Sequence, residues 1–202
     1  MSSSLVVGLT DIFKTQVLGP MASRSGETES SLLGGFEASV GTIIAGLASK
    51  MKQSGFARQA FDLISSPDNN TRVSDAARDL GAGAMNQGTS LSSKFMSLVF
   101  GGEQSAIAEM ISRAQGLRSS TAASLLGVAA PLLMGSLGQR VREGGLDASH
   151  LTGFLSQEAS GLRGILPAGI AGFLGLESIK APVMPAIAPA AKAGLSRWLW
   201  RS

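Results

Sequence analysis

The sequence contains no cysteine and no tyrosine, and its only histidine is His150. Without cysteine the chain cannot form disulfides, thiolate metal sites or a thiol nucleophile. A single histidine cannot by itself make a metal centre of the usual kind. Neither a GxSxG nucleophile elbow nor a GxxxxGK[ST] phosphate loop occurs. We therefore predict a protein that is not an enzyme, with no catalytic residue, metal or cofactor, and with His150 as a surface or half-buried side chain.

Charged residues are also scarce, at 15 % of the chain against 44 % hydrophobic residues, and the mean hydropathy is +0.24. This composition predicts that most apolar surface is packed against the protein itself or against a partner. The net charge of +3 is uneven, because all 14 acidic residues precede residue 178, whereas four basic residues and no acid follow it. A nucleic-acid-binding face needs a basic stripe with stacking aromatic residues, and the sequence before residue 178 has none. We expect no nucleic-acid partner.

The longest uncharged stretch covers residues 119–139, SSTAASLLGVAAPLLMGSLGQ. Its length would allow a transmembrane helix, but its polar residues, its small residues and Pro131 favour a helix buried in a protein core. Pro131 has no amide hydrogen to give to residue 127, which predicts a kink. The apolar residues recur at the spacing of one helical face. They are Leu126, Ala130, Leu133, Leu137 and Val141.

A similar long helix is predicted over residues 28–53, ended by Gly55. Around it we predict a helix over residues 5–21 that ends near Gly19 and Pro20, a short helix that ends at SSPDNN, and a helix within residues 71–87. The apolar face of the long helix carries Phe36, Val40, Ile43, Leu47 and Met51.

An offset of 90 residues without a gap aligns this pattern with the second half of the chain, although few residues are identical. Each half reads as helix, glycine turn, long helix, glycine turn and short helix. We therefore predict an all-α fold, a compact multi-helix bundle built from two similar helical repeats at about residues 5–65 and 95–157. Residues 161–177 are apolar and rich in glycine, which predicts a closely packed terminal helix or helix pair, with a self-association face as the alternative. The predicted helical domain is 1–177, followed by a Pro/Ala-rich linker and a basic tail at 178–202.

The tail holds both tryptophans of the sequence within Arg197, Trp198, Leu199, Trp200 and Arg201. Tryptophan next to arginine favours the membrane interface, where indole lies at headgroup depth and guanidinium meets phosphate. An equal alternative is that the two indoles dock on the protein itself or on a neighbouring subunit.

Two basic pairs fall at equivalent positions of the two repeats, Lys50 with Lys52 and Arg140 with Arg142. Cations at the C-terminal end of a helix complement its dipole, at about 0.3 to 1 kcal/mol each. This role explains them without a ligand, and an anion-binding patch is the alternative.

The second half resembles the YidB-like family, a bacterial all-helical domain of unknown function. The resemblance rests on the FGG at residues 100–102, the Gly116-Leu117 turn, the AAPLLMGSLG helix and the Gly145-Leu146-Asp147 segment. It covers about residues 90–157 and extends more weakly over the first half. It implies a bacterial helical protein and brings no catalytic residue.

From these features we expect a non-enzymatic helical scaffold or self-assembly and interaction module, tethered to a membrane surface through its tail. The expected partners are further copies of the chain or another protein, in the bacterial cytoplasm and at the inner-membrane surface, because the N-terminal MSSSLVVGL does not resemble a secretory signal. The alternative is a helical binding module that encloses an apolar pocket for a lipid or other hydrophobic ligand, with Met51, Met110 and Met134 as adaptable lining.

Overall fold

A computed structural model describes residues 5–69, 73–82, 90–164, 166–167 and 169–174. These residues form helices joined by short turns and contain no strand, so the predicted all-α class is confirmed. The α-helices are α1 (Leu5–Gln16), α2 (Leu18–Ser25), α3 (Glu29–Lys50), α4 (Ser54–Ser65), α5 (Val73–Gly81), α6 (Ser90–Phe100), α7 (Gln104–Gln115), α8 (Ser119–Gly144), α9 (Ala148–Ser160) and α10 (Ile170–Phe173). Single 3-10 turns lie at Pro67–Asn69 and Gly161–Gly164.

Helix α8 is the predicted uncharged helix, and it continues through Pro131 to Gly144. Gly145 ends it with a left-handed backbone (φ 56°), a conformation that glycine adopts without steric cost. All five residues of its predicted apolar face are buried, and Leu133 and Leu137 have no exposed surface. The prediction of a buried helical face is therefore confirmed.

Helix α3 has the same role in the first half of the chain. Thr28 begins it, because its hydroxyl oxygen accepts a hydrogen bond from the backbone N–H of Ser31 at 3.2 Å. The predicted apolar face of this helix, from Phe36 to Met51, is buried as well. By length and composition α3 and α8 are the two described helices that could cross a membrane, and 78 % and 72 % of their most apolar windows are buried inside the protein.

The two long helices contact each other closely near their N-terminal ends. A methyl group added to Gly35 of α3 would lie 2.5 Å from Leu117 and 2.6 Å from Leu125, so the absence of a side chain there allows this approach. The short helices then pack across the pair, since α4 contacts α8 and α9 contacts α3. Each long helix is therefore covered by a short helix from the other half of the chain, and the buried side chains form one core.

One pair of glycines follows the 90-residue offset, both in backbone conformation and in position before a long helix. Gly26 after α2 and Gly116 after α7 both have left-handed backbones, at φ 68° and 64°, and each precedes a long helix. The next pair differs, because Gly145 is left-handed whereas Gly55 lies inside α4. The internal duplication stays a prediction.

Two predicted helix boundaries are wrong. Gly55 does not end α3, which stops at Lys50; Gln53 has an extended backbone (φ −89°, ψ 116°) and begins α4, in which Gly55 is the second residue. Gly19 and Pro20 do not end the first helix either, because the break falls at Val17 and both residues lie in the first turn of α2. A first-turn N–H has no partner within its helix, so proline costs little there.

Other predictions fall partly outside the described residues. The helix expected within residues 71–87 is α5, and residues 83–87 lie outside the described ranges. In the described part of the glycine-rich segment the structure has a 3-10 turn and the short α10, and the expected closely packed terminal helix or helix pair stays a prediction. The linker and tail at 178–202 lie outside the described residues.

Asn69 joins the end of α4 to the middle of α8. Its side-chain amide donates to the carbonyl oxygens of Ile64 at 2.7 Å and Met134 at 2.8 Å, and it is buried. Gly138 makes room for it, because a methyl group at that position would lie 2.5 Å from the amide nitrogen of Asn69 and 2.9 Å from the carbonyl oxygen of Ile64. Residue 138 is therefore a glycine because the contact leaves no space for a side chain, and not because of its backbone conformation.

Two glycines of α8 provide a matched test of this packing. Gly138→Ala forces backbone and a bonded side chain apart, so we expect it to lower the free energy of unfolding by about 1 to 3 kcal/mol. Gly127→Ala enters open space, since no atom lies within 4 Å of the added methyl group, and should raise the free energy by up to about 1 kcal/mol through helix propensity. Urea unfolding followed by circular dichroism measures both. Equal effects of the two substitutions would contradict the described contact.

Candidate functional site

The described residues form a groove of about 590 Å³ where α5, α6, α7 and α8 meet. We call it the serine groove. It is lined by Leu80, Ser92, Ser93, Met96, Ser97, Gln104, Ser105, Ala108, Ala123, Ser124, Leu126, Gly127, Val128 and Ala130. Its volume lies within the range of about 300 to 1,000 Å³ typical of small-ligand sites.

The groove has an apolar floor and a hydroxyl-bearing rim. Met96, Leu126 and Val128 are at most 6 % exposed and belong to the hydrophobic core. At the rim, Ser93 and Ser105 are exposed to solvent. An apolar floor with a few polar groups above it binds an apolar body and orients a polar edge.

None of the lining residues carries a charge or titrates near neutral pH. Among the described residues that line it, the groove therefore has no general acid, general base or cation. A bound carboxylate or phosphate would find no counter-charge in the lining, so the groove suits an uncharged, mainly apolar occupant.

Pro131 changes the hydrogen bonding of Gly127, which lines the groove. Gly127 is exposed at the groove and has no side chain over its backbone. Residue 131 of a helix normally donates its N–H to the carbonyl oxygen of residue 127, and Pro131 has no such hydrogen. The Gly127 carbonyl oxygen therefore lacks its helical donor and can accept a hydrogen bond from an occupant.

The methionines expected to line a pocket lie elsewhere. Met51 and Met134 are buried in the core, and Met110 is a partly buried residue packed against it. None of them is among the described residues that line the serine groove, which include Met96. Sequence analysis missed the groove residues. The serines of α6 and the Gly127–Pro131 pair are visible in the sequence, but no pattern shows that α5 to α8 converge on them.

The four basic residues at the ends of α3 and α8 have separate surroundings. The Lys50 ammonium lies 6.0 Å from the ring centre of Phe56, and the Arg140 guanidinium lies 4.9 Å from that of Phe154. Arg142 donates to the carbonyl oxygen of Asn69 at 3.1 Å, and Lys52 is exposed. Cation–π contacts and a backbone acceptor thus engage three of the four, and the anion patch stays a prediction.

A second pocket, of about 310 Å³, lies beside the start of α8 and includes Arg24 and Arg118. Arg24 donates to the carbonyl oxygen of Gly81 at 3.2 Å at the end of α5. Arg118 donates its backbone N–H and its Nε to Glu27 Oε1, at 3.0 and 3.1 Å. Both guanidinium groups are already engaged by protein oxygens, which makes this pocket a weaker site for an anion.

Glu27 caps α8 from 91 residues earlier in the chain than Arg118. Besides Arg118, its Oε1 accepts from the hydroxyl of Thr121 at 3.3 Å, and the Glu27 side chain is only 14 % exposed. The backbone N–H of Arg118, followed by its guanidinium, lowers the pKa of Glu27. This carboxylate therefore fixes the loop after α2 on the first turn of α8.

His150 is exposed and near a single carboxylate. Its Nδ1 lies 3.0 Å from Oδ1 of Asp147, and the same oxygen accepts from the backbone N–H of His150 at 2.8 Å at the start of α9. That backbone donor lowers the pKa of Asp147. Within the described residues no three His, Asp or Glu side chains are grouped to hold a metal ion. The surface position predicted for His150 is confirmed.

Of the sites predicted from the sequence, the tail Arg197, Trp198, Leu199, Trp200 and Arg201 lies outside the described residues. Its proposed contacts with membrane or protein stay predictions.

Comparison with known proteins identifies a family. A model of a bacterial protein family of unknown function matches residues 8–140. No curated protein matches, and no solved structure matches. The match covers most of the first half, to which the resemblance extended only weakly, and it stops before Gly145-Leu146-Asp147.

We expect the stability of this protein to depend on the charge of Glu27 in acid. Because its folded-state pKa is lowered, the ionised side chain stabilises the fold above its unfolded pKa of about 4.3, and this stabilisation is lost as the pH falls through the lower folded value. Glu27→Gln should therefore have a lower melting temperature than wild type at neutral pH, and the difference should shrink as the pH falls below about 4.3 and through the lowered folded-state pKa. Thermal unfolding by circular dichroism measures it.

Glu103→Gln is the matched control, since Glu103 begins α7 without a side-chain capping bond. A difference between wild type and Glu27→Gln that does not change with pH would contradict the role of the Glu27 charge.

Proposed function

Because this chain belongs to the DUF937 family of bacterial proteins of unknown function, the family that includes YidB, we propose its role from its geometry. We propose that it is a non-enzymatic helical interaction module that binds an uncharged, apolar group in the serine groove. The single observation that carries this proposal is the groove itself, with its buried apolar floor and uncharged lining.

The remaining described surface supports the same choice. Val7, at 56 % exposure, is the one exposed large apolar side chain among residues the structure describes. Gly35 of α3 and Gly138 of α8 both lie against neighbouring parts of the core, so these two close glycine contacts are internal to the chain. We propose that assembly with further copies or with another protein uses the groove or the tryptophan segment.

A protein side chain suits the groove better than an anionic lipid. A fatty acid or phospholipid would bring a carboxylate or phosphate to a lining without a cation. An apolar side chain with an N–H or O–H edge would meet the floor, the serine hydroxyls and the Gly127 carbonyl. If the occupant is a small molecule, we expect a neutral hydrophobic compound.

The tail gives the proposal its second element. We propose that Trp198 and Trp200, with their flanking arginines, contact a membrane surface when they are free, and that the protein acts at the cytoplasmic side of the inner membrane. One such segment has little apolar area, so each copy should bind weakly and several copies together more strongly.

An uncharged fluorescent probe tests the groove. N-phenyl-1-naphthylamine should bind wild type saturably, with increased emission, and Gly127→Leu should weaken this binding at least about tenfold by filling the groove from an open helix position. Gly153→Leu in α9 is the matched control, because that glycine is also helical, exposed and without an atom within 4 Å of an added methyl group. Equal probe affinity in the two leucine variants would overturn the groove proposal.

Liposome flotation tests the tail. With vesicles that contain anionic lipid, the double variant Trp198→Ala/Trp200→Ala should float less than wild type, because indole supplies most of the apolar contact at the headgroup. Ala188→Val, in the linker, provides a control for a change outside the tryptophan segment. Equal flotation of wild type and the double variant would end the membrane part of the proposal.

A further inference from the structure

We propose that the tryptophan segment, Arg197–Arg201, docks in the serine groove of its own chain. This inference rests on the proposed function, since it names the occupant of the groove. It makes the groove a resting place for the segment and not only a site for a separate partner.

The chemistry of the two partners is complementary. The segment offers two indole rings and Leu199, and the groove offers an apolar floor that includes Leu126 and Met96, whose thioether is a favourable neighbour for aromatic rings. Each buried indole N–H needs an acceptor, and the rim supplies serine hydroxyls and the Gly127 carbonyl that Pro131 leaves without a helical donor.

The charges of the segment do not oppose docking. Arg197 and Arg201 stand outside the Trp-Leu-Trp core, so both guanidinium groups can remain in water at the rim while the indoles are covered. The groove lining holds no cation that would repel them. Docking therefore buries apolar surface without burying a charge.

The last described residue, Leu174, lies beside the C-terminal end of α6, the helix whose earlier turns line the groove. The backbone oxygen of Leu174 accepts from the hydroxyl of Ser49 at 3.2 Å, and the Leu174 side chain lies with Val99 and Phe100 around Gly46. Phe100 is one turn of α6 beyond Met96 of the groove.

The tether is long enough to reach the groove from there. The residues between Leu174 and Trp198 can span about 80 Å when extended, against a radius of gyration of about 16 Å for a body of this size. A tether of this kind gives an effective concentration of about 1 mM, so even a weak contact is occupied.

Docking has a consequence for the membrane. Indoles held in the groove cannot lie at headgroup depth at the same time, so the groove and the membrane compete for one segment. An occupant that fills the groove would release the segment, and its arrival would be coupled to membrane contact.

Intrinsic fluorescence reports directly on this contact, because Trp198 and Trp200 are the only tryptophans of the sequence and it has no tyrosine. The emission of wild type should lie to the blue of its unfolded chain and be protected from acrylamide quenching. Gly127→Leu should return both the emission and the quenching to the values of the unfolded chain, whereas Gly153→Leu should keep the wild-type values. Circular dichroism establishes that both variants are folded.

Three results would overturn the inference. Wild-type emission equal to that of the unfolded chain means that the indoles are free. Blue emission retained in Gly127→Leu means that they dock elsewhere. Blue emission that appears only as the protein concentration rises, together with a doubled mass in light scattering, means that they bind a second copy.

Probe binding separates this inference from the proposed function. If the segment competes for the groove, Trp198→Ala/Trp200→Ala should bind N-phenyl-1-naphthylamine about tenfold more tightly than wild type. Equal affinity in these two proteins, with loss in Gly127→Leu, contradicts docking and leaves the groove proposal standing. No probe binding to the double variant overturns both.

Discussion

The close approach of α3 to α8 is the constraint on which the rest of this structure depends. Gly35 has no side chain, so the backbone of α3 lies directly against Leu125 of α8 and Leu117 of the turn before α8. Only then can α4 lie on α8 and α9 on α3 and close one core around both. The apolar composition of the chain is explained by this packing, because long apolar helices that could span a bilayer by length alone are mostly buried by their neighbours.

The elements that the sequence predicts well are those whose pattern is local. The faces of α3 and α8 follow a helical period, and the glycines after α2 and α7 adopt the left-handed backbone that ends a helix. The two wrong helix boundaries fall at residue types that occur both at the end and in the first turn of a helix. Pro20 and Gly55 suit a helix end, but each is also tolerated in a first turn, and the sequence alone does not choose.

The candidate site could not be predicted in the same way, because it consists of contacts between distant residues. Ser93 and Ser97 of α6 are exposed serines that no pattern distinguishes, and only the fold makes them line a groove together with Gly127 and Leu126 of α8. Glu27 caps a helix that begins in the other half of the chain, and no local motif contains that pair. Two of the three methionines expected to line a pocket, Met51 and Met134, are buried in the core. Their chemistry suits a pocket, but tertiary packing decides how deeply each side chain is buried.

Because α4 covers α8 and α9 covers α3, the family match and the folded core end at different residues. The family match stops at residue 140, whereas α9, which covers α3, spans Ala148–Ser160. A chain cut at residue 140 would therefore lose α9, the helix that covers α3. The side chains of α3 beneath it would then be exposed to water. The segment recognised across relatives is thus shorter than the segment that this polypeptide needs in order to enclose its own interior.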